Sequence, residues 1–129
     1  MSSASKNNVP TAKEIFDLSK ALEVVDGDME LFKEIADLFQ KNLPDNIAQI
    51  REAIANSDAN ALNAAAHSLK GSVSNFGAKR AFDAAYRLEH MGKEERLAEA
   101  GAALVELEKE LKDLETAITE TLSGPNLIV

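Results

Sequence analysis

From Leu97 to Leu122 the residues Leu97, Gly101, Leu104, Leu107, Leu111, Leu114, Ile118 and Leu122 recur at steps of three and four. That is the period of a helix, not of a strand. A stripe this long must be covered, either as a coiled-coil seam or as the last wall of an antiparallel bundle. The rest of the chain favours the bundle. Helical periods recur in Leu31, Phe32, Ile35, Leu38 and Phe39, in Ile47, Ile50, Ala53 and Ile54, and in Ala81, Phe82, Ala85 and Leu88. With 3 prolines, 6 glycines and 5% aromatics among 129 residues, helix formers dominate. The predicted fold is all-α: an antiparallel four-helix bundle with an additional short N-terminal helix. The length suits one core and not two.

Local signals place the boundaries. Residues 1–10 are polar and read as a disordered lead-in. Thr11 with Glu14 has the form of a capping box, which starts a short helix running to about Val25. Asp26, Gly27 and Asp28 end that helix and cap the next. Pro44 interrupts the following segment, so one long helix kinks there or two helices abut; the resumed period favours a kinked helix ending near Asn56. Ser57 and Asp58 offer an N-cap to a helix that runs to about Phe76, with Gly77 as its stop. Another helix spans roughly Lys79 to His90, where Met91 and Gly92 end it. Gly124 and Pro125 terminate the last one, so the bundle occupies residues 11–123 and a C-terminal tail 124–129, with no assignable role.

Composition excludes several functions. The formal net charge of -8 argues against nucleic-acid binding. No segment has the length and apolarity of a membrane span, and the N-terminal stretch lacks the apolar run of a signal peptide. Absence of cysteine removes disulfides and thiolate metal sites and fits a reducing compartment. A free-standing, monomeric cytoplasmic protein is expected. Two histidines without cysteine make a metal site improbable.

The chemistry centres on His67. On a helical wheel Leu62, Ala65, Ala66, Leu69, Val73 and Phe76 share the core-facing stripe, and His67 falls nearly opposite, beside Asn60, Asn63, Lys70, Gly71 and Ser74. Glycine inside a helix costs about 1 kcal/mol relative to alanine. One turn beyond His67, Gly71 offers clearance for a bulky group on the ring, and Lys70 offers a compact positive charge for an anion held there. A phosphoryl group satisfies both. Imidazole has a reference pKa of about 6.5, so it is a competent nucleophile near neutral pH. Between His67 and Glu89, Lys70, Lys79, Arg80 and Arg87 face only Asp83 and Glu89, a local positive excess suited to an acidic partner site. No nucleotide loop, kinase motif or magnesium-binding carboxylate set is present.

The run His67-x-Leu69-Lys70-Gly71, followed by Asn75, Gly77 and Leu88-Glu89, resembles the histidine-containing phosphotransfer (HPt) domain of multistep phosphorelays. The likeness extends to Asp26 through Leu31, the Phe39 region and the helix order, covering roughly residues 15–122. Where the family often has a leucine four residues after the second glycine, this chain has Ala81, with Phe82 next to it. The resemblance implies a phosphoryl carrier: His67 accepts the group from a receiver-domain aspartate and passes it to another response-regulator aspartate. It implies no cofactor on this chain, with magnesium on the partner receiver, and partners among response regulators or a hybrid sensor kinase. Lys70 would stabilise the phosphoryl group. Gly71, Asn63, Ser74, Gly77, Lys79 and Arg80 would form the clearance and docking face, and Glu89 is a candidate for orienting the ring or an ordinary exposed glutamate. His90, near a helix C-terminus, is read as inert. The alternative class is a non-catalytic helical docking or scaffold module for receiver domains. An autonomous enzyme is disfavoured by the missing nucleotide and metal motifs.

Overall fold

The structure is a computed structural model and describes residues 11–123; the expected lead-in and tail lie outside them. Its elements are α1 (Ala12–Ile15), α2 (Leu18–Val24), α3 (Met29–Ala55), α4 (Ala59–Ser74), α5 (Lys79–Lys93), a 3-10 turn (Leu97–Glu99) and α6 (Ala100–Ser123). Short turns join α3 to α6 in antiparallel succession. α3 packs on α4, α4 on α5 and α5 on α6, and α6 closes the ring against α3. The predicted four-helix bundle is therefore present, and α1 packs across the α5–α6 side.

The first four helices start at side-chain caps, whereas α5 starts after Ala78 without one. Thr11 and Glu14 exchange hydrogen bonds with one another's backbone N–H at 3.2 Å, the expected capping box. Asp28 accepts from the Leu31 N–H and Asp58 from the Ala61 N–H, each satisfying a donor the helix leaves orphaned. The single N-terminal helix expected through Val25 is instead two, because Phe16 is extended and Asp17 caps a fresh start at Leu18 through the Lys20 N–H. That break lets the Phe16 ring turn inward. Phe16, Phe32, Phe39 and Phe76 cluster with centroid separations of 5.0–6.4 Å around Phe76.

Other boundaries also shift. α3 is, as the resumed period favours, one long helix through Pro44, capped at Asn56, with Pro44 exposed on its outer side. Its core line is Phe32, Ala36, Phe39 and Leu43, whereas Leu31 and Leu38, expected among the core period, are 41% and 58% exposed. On α4, Leu62, Ala66, Leu69 and Val73 are buried as expected, but the helix ends at Ser74 and Phe76 is buried from the turn beyond it. In α6 the stripe turns on Ala100 and Ala103, and Gly101 faces solvent.

The largest departure is Gly92. It does not end α5; Met91 and Gly92 are buried within the helix, which runs to Lys93 and stops where Glu95 turns left-handed (φ 57°) and the Arg96 N–H donates back to the Met91 carbonyl. A Cβ at Gly92 would lie 2.6 Å from the Asn63 backbone nitrogen and 2.8 Å from the Ala59 carbonyl oxygen. The glycine is a contact between two backbones, which is why α4 and α5 make the most extensive pairing in the bundle.

Two glycine substitutions separate these roles. Gly92→Ala should lower stability by about 1–3 kcal/mol in urea unfolding despite alanine's better propensity, because the backbones must part. Gly101→Ala meets nothing within 4 Å and should stabilise by up to about 1 kcal/mol.

Candidate functional site

α4 presents Asn63, His67, Lys70, Gly71 and Ser74, and α5 presents Lys79, Arg80 and Glu89. His67 stands on the outer face with 69% of its side chain exposed, as the wheel predicts. Its Nδ1 lies 2.7 Å from Glu89 Oε2. An ionised carboxylate can only accept, so in the neutral ring Nδ1 carries the hydrogen and Nε2 keeps the lone pair. The ring is thus oriented from α5, with its nucleophilic nitrogen directed away from the bond that holds it.

Glu89 is the shared partner. Its other oxygen, Oε1, is 2.7 Å from Lys70 Nζ, and both side chains are mostly covered, at 17% and 18% exposure. Burial pushes the Glu89 carboxyl up; hydrogen bonds from Lys70 and His67, with their charges, outweigh it and hold the group below its ordinary value. The Asn63 amide donates to the Glu89 backbone carbonyl at 2.8 Å, so Asn63 braces the α4–α5 crossing. Of the two readings of Glu89, the exposed one is excluded by its burial.

Lys70 has a second set of neighbours that sequence reasoning missed. Its ammonium lies 4.9 Å from the Tyr86 ring centroid and 5.7 Å from that of Phe82. Phe82 and Tyr86 are themselves stacked at 6.3 Å. Their spacing of four in α5 was the available signal, but one cannot see from it which side chain of another helix rests above them. Gly71 is open, with nothing within 4 Å of a Cβ placed there.

Four expected docking residues are engaged within the chain: Gly77, Arg80, Lys79 and Ser74. Gly77 takes φ +58° and a Cβ on it would meet Asp17 Cβ at 2.8 Å; it is covered by this chain's own α2, not free for a partner. Arg80 grips Glu110 of α6 with three contacts of 2.9–3.2 Å, and Glu110 is 4% exposed. Lys79 remains exposed but pairs with Asp83 at 2.7 Å. Arg87 pairs with Glu106. The positive excess counted along α4 and α5 is therefore compensated, in two cases by acids of α6. Ser74 donates to the Gly71 carbonyl at 2.7 Å and is satisfied within its own helix. His90, T-shaped to Tyr86 at 4.6 Å, has Glu94 3.9 Å from its Nδ1.

Between α3 and α4 lies a groove of about 240 Å³, whose lining includes Ile35, Leu38, Phe39, Ser68 and Ser72 but not His67. Leu31, Ile35 and Leu38 form an apolar line on α3 at spacings of four and three, with Leu31 and Leu38 exposed and Ile35 half-buried. Five apolar positions within nine residues exceeded what one buried stripe needs, and that surplus was its signal.

The all-helical bundle thus holds the His67 imidazole in water, oriented by a largely covered carboxylate. The sequence matches the Hpt domain family over residues 34–117, more than half of the chain, and the chain belongs to that family. It is a phosphotransfer module of two-component signalling, a carrier rather than an enzyme of the usual kind. The fold is similar to the crystal structure of the HPT domain from the Hpt sensor hybrid histidine kinase from Shewanella, with a TM-score of 0.74 and 20% identity, covering 86% of this chain and 96% of that one. No curated protein matches the sequence. Among the described residues no helix is long and apolar enough to cross a membrane.

The depressed Glu89 value has a testable sign. Because the folded carboxyl titrates below its ordinary 4.5, its ion pair stabilises the fold at neutral pH and fades as pH falls through the folded value. A 13C titration of the Glu89 carboxyl should show a midpoint below 4.5, and Lys70→Met should move it upward. Arg80→Ala strands the buried Glu110 charge and should cost about 2–3 kcal/mol in denaturant unfolding, less than for a fully buried pair because Arg80 is one-third exposed.

Proposed function

We propose that this chain carries a phosphoryl group on His67 Nε2, taking it from the aspartyl phosphate of one receiver domain and delivering it to the aspartate of another. The lone pair on Nε2 attacks phosphorus, the P–O bond to the donor carboxylate breaks, and the carboxylate leaves with that electron pair. The Nδ1 hydrogen stays in its bond to Glu89, whose negative charge stabilises the ring as it becomes cationic. In the reverse step the acceptor carboxylate attacks phosphorus and the P–N bond returns its electrons to the ring. The observation that carries this reading is the exposed imidazole fixed through Nδ1 by a half-buried carboxylate.

Lys70, one turn along α4, offsets the charge of the phosphoryl oxygens. Gly71 leaves room for them. Magnesium and most of the remaining stabilisation belong to the receiver. Exposed Leu31 and Leu38, with half-buried Ile35 between them, give that receiver an apolar surface to cover. Asn63 acts by holding Glu89, and the roles first assigned to Gly77 and Arg80 become structural.

Incubation with a 32P-labelled receiver should give acid-labile, base-stable label on the parent and none on His67→Gln; label retained on that variant overturns the assignment. Gly71→Gln should slow transfer by tenfold or more, an order-of-magnitude expectation for misplacement of reacting groups. Its melting temperature should stay near the parent's, since the added side chain enters open space.

A further inference from the structure

We infer that the Phe82–Tyr86 pair is a positioning platform for Lys70, and that Tyr86 is a positioning residue for phosphoryl transfer. This rests on the proposed role of His67. The ammonium of Lys70 sits 4.9 Å from the Tyr86 centroid and 5.7 Å from that of Phe82, while Glu89 holds it from another direction at 2.7 Å. The two rings are nearly parallel, 23° apart, and the ammonium lies within 5.7 Å of both centroids.

The two kinds of partner do different things. A carboxylate neutralises the ammonium and competes with any arriving anion. A ring face attracts the cation through its quadrupole without cancelling its charge. With Glu89 alone, Lys70 would have to leave its counter-ion for water before meeting a phosphoryl group on His67. Resting on the rings, it exchanges one anion for the other across a surface that holds it throughout. A free lysine loses rotamer entropy when fixed in one place; the platform lowers that loss by restricting the side chain beforehand. Tyr86 is 45% exposed, and His90 packs against it at a steep angle.

The test uses phosphoramidate as the phosphoryl donor, so no partner protein is present and Tyr86 cannot act through a docking contact. Label on His67 of the full chain is followed after donor removal. Tyr86→Leu should shorten the phosphohistidine half-life about two- to tenfold, the range expected for one cation–π contact. Tyr86→Phe should remain within about twofold of the parent, since the ring and not the hydroxyl meets Lys70. In a Lys70→Ala background, Tyr86→Leu should have no further effect. Parent-like half-life in Tyr86→Leu, an equal loss in the Lys70→Ala background, or failure of Tyr86→Phe to rescue would each overturn the inference. NMR adds a readout that needs no phosphorylation: the Lys70 Hε protons should be ring-current shifted in the parent and return toward random-coil positions in Tyr86→Leu. No change there overturns the platform while leaving the role of His67 intact. Failure of the parent to take label on His67 would instead refute the carrier reading, and the inference with it.

Discussion

How closely α5 lies on α4 decides everything at the site, and that distance is set by bare backbone. Gly92 meets the Asn63 nitrogen and the Ala59 carbonyl where any side chain would collide. One turn earlier on the same helix, Glu89 is brought against α4, where Asn63 fastens its carbonyl and His67 and Lys70 take its two carboxylate oxygens. A helix pair held apart by ordinary side chains would leave that carboxylate short of the ring. The orientation of the imidazole is thus inherited from a packing contact well away from the reactive nitrogen. Because packed interiors resist small displacements, the ring is held to a geometry that long, flexible side chains alone would not maintain.

Charge is arranged by the same economy of contacts. The chain carries a net charge of -8, and each cation near the site meets an acid: Lys70 with Glu89, Lys79 with Asp83, Arg80 with Glu110, Arg87 with Glu106. Long-range attraction therefore cannot draw an acidic partner toward His67. What this face offers is short-range: the apolar line of Leu31, Ile35 and Leu38, and the groove beside Ser68. Recognition built that way depends little on ionic strength and much on shape, in contrast to the electrostatic attraction that the linear count of charges implies.

Periodicity made the bundle, the core of α4 and the outward direction of His67 legible in the sequence, because each depends on residues a turn apart in one helix. Lys70 and Gly71 were legible for the same reason. What sequence reasoning misplaced depends on other helices. Glycine reads as a helix stop in isolation, whereas Gly92 lies inside α5 and serves by its contact with the α4 backbone. Gly77 reads as available along the chain, yet Asp17 covers it. Arg80 and Arg87 looked like free charge because Glu110 and Glu106 lie on α6, far along the chain. Phe16 joined the core only because Asp17 restarts the helix after it. Tyr86, the chain's one tyrosine, carries no motif and acquires meaning only from the ammonium above it.

The choice of a carboxylate at position 89 has a consequence for the proposed transfer. Before the phosphoryl group arrives, Glu89 balances Lys70 and accepts a neutral bond from the ring. As Nε2 forms its bond to phosphorus the ring becomes cationic, and Glu89 already touches it. The carboxylate can then serve as counter-ion to the ring, which releases Lys70 to serve the phosphoryl oxygens. Two ion pairs replace one, and no buried charge is left alone at any stage, which matters because an unpaired charge in a covered site is far more costly than a paired one. An amide at this position could orient the ring but could not exchange partners in this way, since it has no charge to transfer from Lys70 to His67. The network therefore acts as a unit, and single substitutions within it should be strongly non-additive.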